Sequence, residues 1–142
     1  MKRVLSIACV LFTIVFAMSV AAQAPPKIGS DADYAAHMKE IGQLNGVLTK
    51  SIKSGDAAEG GKAAARLEIL FKNVHGYWSD KKIADATAAA QTAVTSLQAL
   101  QKALAANDMA AAEAARATFA GTCMACHKEH REKLPEGGFR IK

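Results

Sequence analysis

The sequence predicts an all-α protein, an antiparallel up-down-up-down four-helix bundle. Three observations carry that expectation. No proline occurs between Pro26 and Pro135, and alanine is abundant throughout that span, as suits uninterrupted helices. Apolar residues recur at spacings of three, four and seven, and no alternating β-branched run suggests a strand. Short polar breaks divide the span into four segments of similar length, which favours antiparallel neighbours.

The first helix opens at Ser30 or Asp31, with Asp33 three residues past Ser30 as a capping pair. Its stripe is Tyr34, Met38, Ile41, Leu48 and Ile52, and Asn45 fills the missing seam position. "KSGD" (Lys53 to Asp56) breaks it. Asp56 and Glu59 form a second capping pair, and Ala63, Leu67, Leu70, Phe71, Val74 and Trp78 line one side of the second helix. Gly60 and Gly61 weaken its first turns. "WSDKK" is the next break, with Ser79 or Asp80 as cap. The third helix carries Ile83, Ala90, Val94, Leu97, Leu100 and Leu104. "ANDMA" follows, with Asn107 or Asp108 as cap. The fourth runs from about Met109 through Phe119 to about Lys133, and "LPEGGFRIK" ends it. The stripes are thin and rich in alanine. A chain of this size with so slight a core needs something more to fill it.

The N-terminus reads as an export signal. Lys2 and Arg3 precede the uncharged apolar run Val4 to Val20, and "VAAQA" follows with small residues at peptidase spacing. The run is short for a membrane span, which needs about 20 apolar residues. Residues 1–22 are therefore expected to be cleaved after Ala22, taking Cys9 with them, and 23–142 to form one exported domain. The net charge of the whole chain is +5, and removing Lys2 and Arg3 takes it to +3. The positive residues are scattered, which argues against a nucleic-acid arm and leaves a mildly basic surface able to steer an acidic partner protein.

Chemistry concentrates in "GTCMACHKEHREKL", Gly121 to Leu134. On a helix, residues three and four apart share a face. Cys123, Cys126 and His127 therefore stand together. Two thiols and an adjacent imidazole in the order Cys-x-x-Cys-His are the sequence sign of covalent haem attachment, with the thiols as thioethers and the histidine on the iron. One haem c per chain is expected. A zinc site would want a second close ligand pair, which is missing because His37, His75 and His130 are scattered. A thioredoxin-like pair would want a βαβ setting. A lone disulfide here would cross-link nothing.

The far side of the iron needs a ligand from another stripe. Of the five methionines, Met1 and Met18 belong to the signal, Met124 turns away from His127, and Met109 lies far along the fourth helix. Met38 remains, with simple core packing as its other reading. His37 is adjacent but points about 100° away around the helix. Tyr34, one turn before Met38, can border the pocket. Trp78 and Phe119 are core or pocket-wall residues. There is no nucleophile–base pair and no carboxylate pair placed near the site, so no enzyme is expected. Asp80, Asp85 and Glu68 fit solvated faces or caps.

With these residues in hand, the chain resembles the cytochrome c′ family, the class II c-type cytochromes, over nearly all of the mature sequence. "CMACHKEHR" matches the family's haem string, with Arg131 in its expected place and His130 where an aromatic is usual. "MKEIGQLNG" matches the first helix, where a distal residue precedes a glycine by eight, here Met38 and Gly46. The resemblance implies a periplasmic electron carrier in the group whose distal methionine ligates the iron, with periplasmic redox partners and a homodimer through the first two helices. "AAEGGKAAAR" offers small residues for such an approach. Members with an apolar distal residue bind nitric oxide or carbon monoxide instead, which is the alternative function. The family's arginine one turn before the distal residue is absent; Tyr34 stands there.

Overall fold

The computed structural model describes residues 27–142; the expected signal, its methionines and Cys9 lie outside the described residues. Four helices follow one another: α1 (Asp31–Ser54), α2 (Ala57–Asp80), α3 (Ala84–Ala105) and α4 (Met109–His130). The chain is thus all-α in its body, compatible with a four-helix bundle. Among the described residues no helix is long and apolar enough to cross a membrane.

The expected caps form at three helix starts. Ser30 Oγ accepts from the Asp33 N–H at 3.1 Å, and Asp33 Oδ2 accepts in return from the Gly29 N–H at 3.2 Å. Asp56 Oδ1 accepts from the Glu59 N–H at 3.0 Å, and Asp108 Oδ1 from the Ala111 N–H at 2.9 Å. Each satisfies an orphan donor of a first turn. Gly55 ends α1 with φ 74°, a left-handed conformation that suits glycine.

Two local expectations are corrected. Ser79 and Asp80 do not cap α3. They belong to the last turn of α2, and Ile83 precedes α3 with no side-chain cap. Packing decides this. Tyr77 and Trp78 are both buried, and their rings keep α2 helical through Ser79 and Asp80. The fourth helix stops at His130 rather than near Lys133. The chain then forms a small antiparallel hairpin, β1 (Arg131–Lys133) with β2 (Phe139–Ile141), pairing Arg131 with Ile141 and Lys133 with Phe139. Its turn uses Gly137 and Gly138 at φ 95° and 83°, which other residues rarely adopt.

The core is built mainly by α2 and α3, with Tyr34, Ile41, Leu48 and Ile52 from α1 and Ala112 and Phe119 from α4. Leu48, Leu67, Leu70, Leu97, Leu100 and Phe119 are fully enclosed. Small residues bring the helices close. A Cβ on Gly60 would meet the Leu104 side chain at 3.3 Å and Ser51 Cβ at 3.4 Å. Gly60, Ala63 and Ala64 are buried within this chain, so part of the small-residue segment considered for a dimer contact is occupied at home. α1 packs along α2 but barely touches α4. Beyond Phe119, α4 has no fully buried side chain. A gap is left there between α1 and α4.

One polar clasp crosses α2 and α3. Glu68 accepts from Gln98 Nε2 at 3.0 Å and Gln101 Nε2 at 2.6 Å, and pairs with Lys72 at 2.8 Å. With 15% of its side chain exposed, it is no solvated-face residue. The Lys72 and Gln98 bonds, with Gln101, hold its carboxyl down at about 2, below the ordinary 4.5. Because the folded value is the lower one, the clasp stabilises fully above pH 4.5 and is lost as pH falls through 2. Replacing Glu68 by Gln is expected to cost about 1.5 kcal/mol at pH 7. Denaturant unfolding across pH should show the deficit shrinking between pH 5 and pH 2; a constant deficit would contradict the account.

Candidate functional site

The gap between α1 and α4 is a cavity of about 640 Å³. Phe71 and Val74 of α2, with Ala86 and Ala90 of α3, form its apolar floor, and Phe119 bounds it where the core ends. Cys123, Cys126 and His127 reach it from α4, and Met38 and Tyr34 from α1. The three-and-four spacing on α4 and the Tyr34–Met38–Ile41 stripe on α1 are what turn these side chains inward. The structure thus gathers all four residues singled out for a cofactor in one pocket. Met109 packs against the core elsewhere and Met124 is 71% exposed.

His37 is not part of this pocket. Its Nδ1 donates to the Asp33 carbonyl at 2.9 Å, which leaves Nε2 as the acceptor for Asn73 Nδ2 at 3.4 Å. Both ring nitrogens are engaged along α1 and toward α2.

The thiols of Cys123 and Cys126 are free and partly buried. Burial, then the neighbouring Cys126 sulfur, pushes the Cys123 thiol up to about 11. Burial, then the Asp85 charge, raises Cys126. Both are therefore neutral thiols at pH 7. Burial lowers the His127 imidazole, and the Arg131 charge lowers it further, so the ring is neutral at pH 7 and keeps a free lone pair. Among the described residues no three His, Cys, Asp or Glu side chains converge on one point as a metal site would require.

The mouth of the pocket is cationic. Lys39, Arg131 and Arg140 line it, with Asp31 the acid among the lining residues. Asp31 Oδ1 already accepts from the Tyr77 hydroxyl at 2.7 Å. The hairpin builds one side. Phe139, Arg140 and Ile141 all face the cavity; the Arg131 guanidinium lies 4.0 Å from the Phe139 ring centre, and Arg140 pairs with Glu132 at 2.8 Å.

Several site residues were not foreseen. His130 stands at the cavity edge, its ring 5.1 Å from that of Trp78 and its Nε2 2.7 Å from Asp85 Oδ2. Asn45 lines the cavity with a buried Oδ1 that has no partner among the described residues. Arg140 and Phe139 arrive with the hairpin, whose one sequence signal was the Gly137–Gly138 pair.

In comparisons with known proteins, no family model, no curated protein and no solved structure matches the chain.

Proposed function

We propose that the chain is an exported, periplasmic c-type cytochrome of the cytochrome c′ kind: an up-down-up-down bundle with one covalent haem, acting as a one-electron carrier between periplasmic redox proteins. The observation that carries this reading is the convergence of Cys123, Cys126, His127 and Met38, from two helices that hardly touch, on one apolar pocket.

The residues fit the group. A porphyrin brings four nitrogen donors of its own, so the protein need supply only axial ligands and no three-residue metal cluster. The cavity floor is apolar, as the macrocycle requires. The cationic mouth suits its carboxylates. The unpartnered Asn45 Oδ1 is a buried polar atom of the kind a ligand or ordered water would complete.

Each side chain then has a role. Cys123 and Cys126 would hold the group covalently through their sulfurs, as thioethers. Neutral His127, presented from α4, would hold the iron through its free lone pair. Met38, presented from α1, would supply a thioether sulfur, a ligand that favours the ferrous state. The bound group supplies the one-electron couple. With His127 and Met38 both held by their helices, little reorganisation would accompany electron transfer.

Replacing Met38 by Ala tests the assignment. The expected outcome is a change from a low-spin to a high-spin visible spectrum, with carbon monoxide binding acquired in the ferrous protein. A Met38→Ala variant with the wild-type spectrum would remove Met38 from the iron. A wild type that is already high-spin would favour the gas-binding alternative.

A further inference from the structure

Tyr34 is buried on α1, one turn before Met38, and borders the same cavity. Its oxygen accepts from Trp78 Nε1 at 3.0 Å. The indole nitrogen can only donate, so this bond does not engage the phenol's own hydrogen. Among the described residues that hydrogen meets no acceptor. A buried donor left without a partner is destabilising.

The ring cannot turn away to find one. It lies 4.8 Å from the Tyr77 ring and edge-on to Trp78 at 5.6 Å. Burial also raises its pKa, so it remains a neutral donor. The bond from Trp78 polarises the O–H group and strengthens it as a donor.

The position is informative. Trp78 touches Tyr34 on one side and His130 on the other. His130 is the last residue of α4, directly before the hairpin. Tyr34 thus lines the cavity beside Trp78, whose ring also meets His130, the residue before Arg131 in the same lining. The cavity floor is apolar, whereas this part of the lining offers a fixed neutral donor and cations.

We infer that Tyr34, held in place by Trp78, donates a hydrogen bond to a carboxylate of the cofactor in this pocket. The inference rests on the haem reading, since haem carries two carboxylates. Tyr34 is a positioning residue: it fixes the polar edge of the macrocycle while His127 and Met38 fix its iron.

Resonance Raman spectroscopy of the exported, haem-loaded protein tests this through the carboxylate-bending band, which follows hydrogen bonding at those groups. The wild-type band is expected to shift on exchange into D2O. In Tyr34→Phe, which keeps the ring packing, the band should lie at lower frequency and show a smaller isotope shift. Tyr77→Phe, whose hydroxyl serves Asp31, should leave it in place. Trp78→Phe frees the phenol oxygen and should give a broadened, intermediate band; it carries the test if Tyr34→Phe fails to load haem. A loaded Tyr34→Phe protein with the wild-type band and isotope shift overturns the inference alone, as does an unchanged Trp78→Phe band. A wild type with no Soret band overturns the haem reading and this inference with it.

Discussion

Replacing both Cys123 and Cys126 by alanine is expected to abolish covalently held haem completely. The two thiols are free, lie on one face of α4 and open on the same cavity. No other cysteine is present in the described residues to substitute for them. The pocket keeps its apolar floor, His127 and Met38 in the variant, so haem can still enter without being tethered. The readout must therefore distinguish tethered from dissolved cofactor. Haem-stained denaturing gels and acidified-acetone extraction do so: the wild type keeps its haem in both, and the double variant gives it up in both. Each single variant should retain one thioether and an intermediate, red-shifted haemochrome band. Haem that stays with the double variant under denaturing conditions would contradict the proposed attachment.

Phe119→Ala should cause the largest loss of stability, about 3–5 kcal/mol. Phe119 is fully enclosed. It meets Phe71 edge-on at 5.2 Å, a geometry that adds to simple burial. It also stands at the junction of core and cavity, one turn before Cys123. Truncating it enlarges the existing gap and loosens the turn that aims the cysteines. A domain of this size has only about 5–15 kcal/mol of total stability, so the loss is severe. Leu97→Ala is the comparison. Leu97 is as enclosed but does not line the cavity, so about 2–5 kcal/mol should go with little change in the visible spectrum. Guanidinium unfolding followed by circular dichroism, with visible spectra of the same samples, separates the two effects. A loss below 1 kcal/mol for Phe119→Ala would mean that the core does not end where described.

The grouping of Cys123, Cys126 and His127 was legible for a local reason. Spacings of three and four place Cys123, Cys126 and His127 on one helix face whatever the rest of the chain does. Met38 was legible by its stripe, since a helix that buries Tyr34 and Ile41 must turn Met38 to the same side. What escaped depended on partners distant in sequence. Trp78 and Tyr77 extend α2 through residues that read locally as a cap. Asp85 and Trp78 engage His130, 45 and 52 residues away along the chain. Glu68 looked like a surface acid until Gln98 and Gln101 of α3 came beside it. The hairpin escaped because "REK" and "FRI" are too short and too charged to show a strand pattern; its visible mark was a glycine pair. Its arginines, Arg131 and Arg140, join Lys39 of α1 as the cations lining the pocket.

The visible spectrum of the exported, purified protein tests the central claim most directly, recorded ferric, then ferrous, then ferrous under carbon monoxide. A low-spin c-type spectrum in both oxidation states, unmoved by the gas, is the predicted result for His127 and Met38 on one iron. A high-spin spectrum that shifts at once under carbon monoxide would contradict Met38 ligation and electron carriage, and a protein with no haem band would contradict the cytochrome reading altogether.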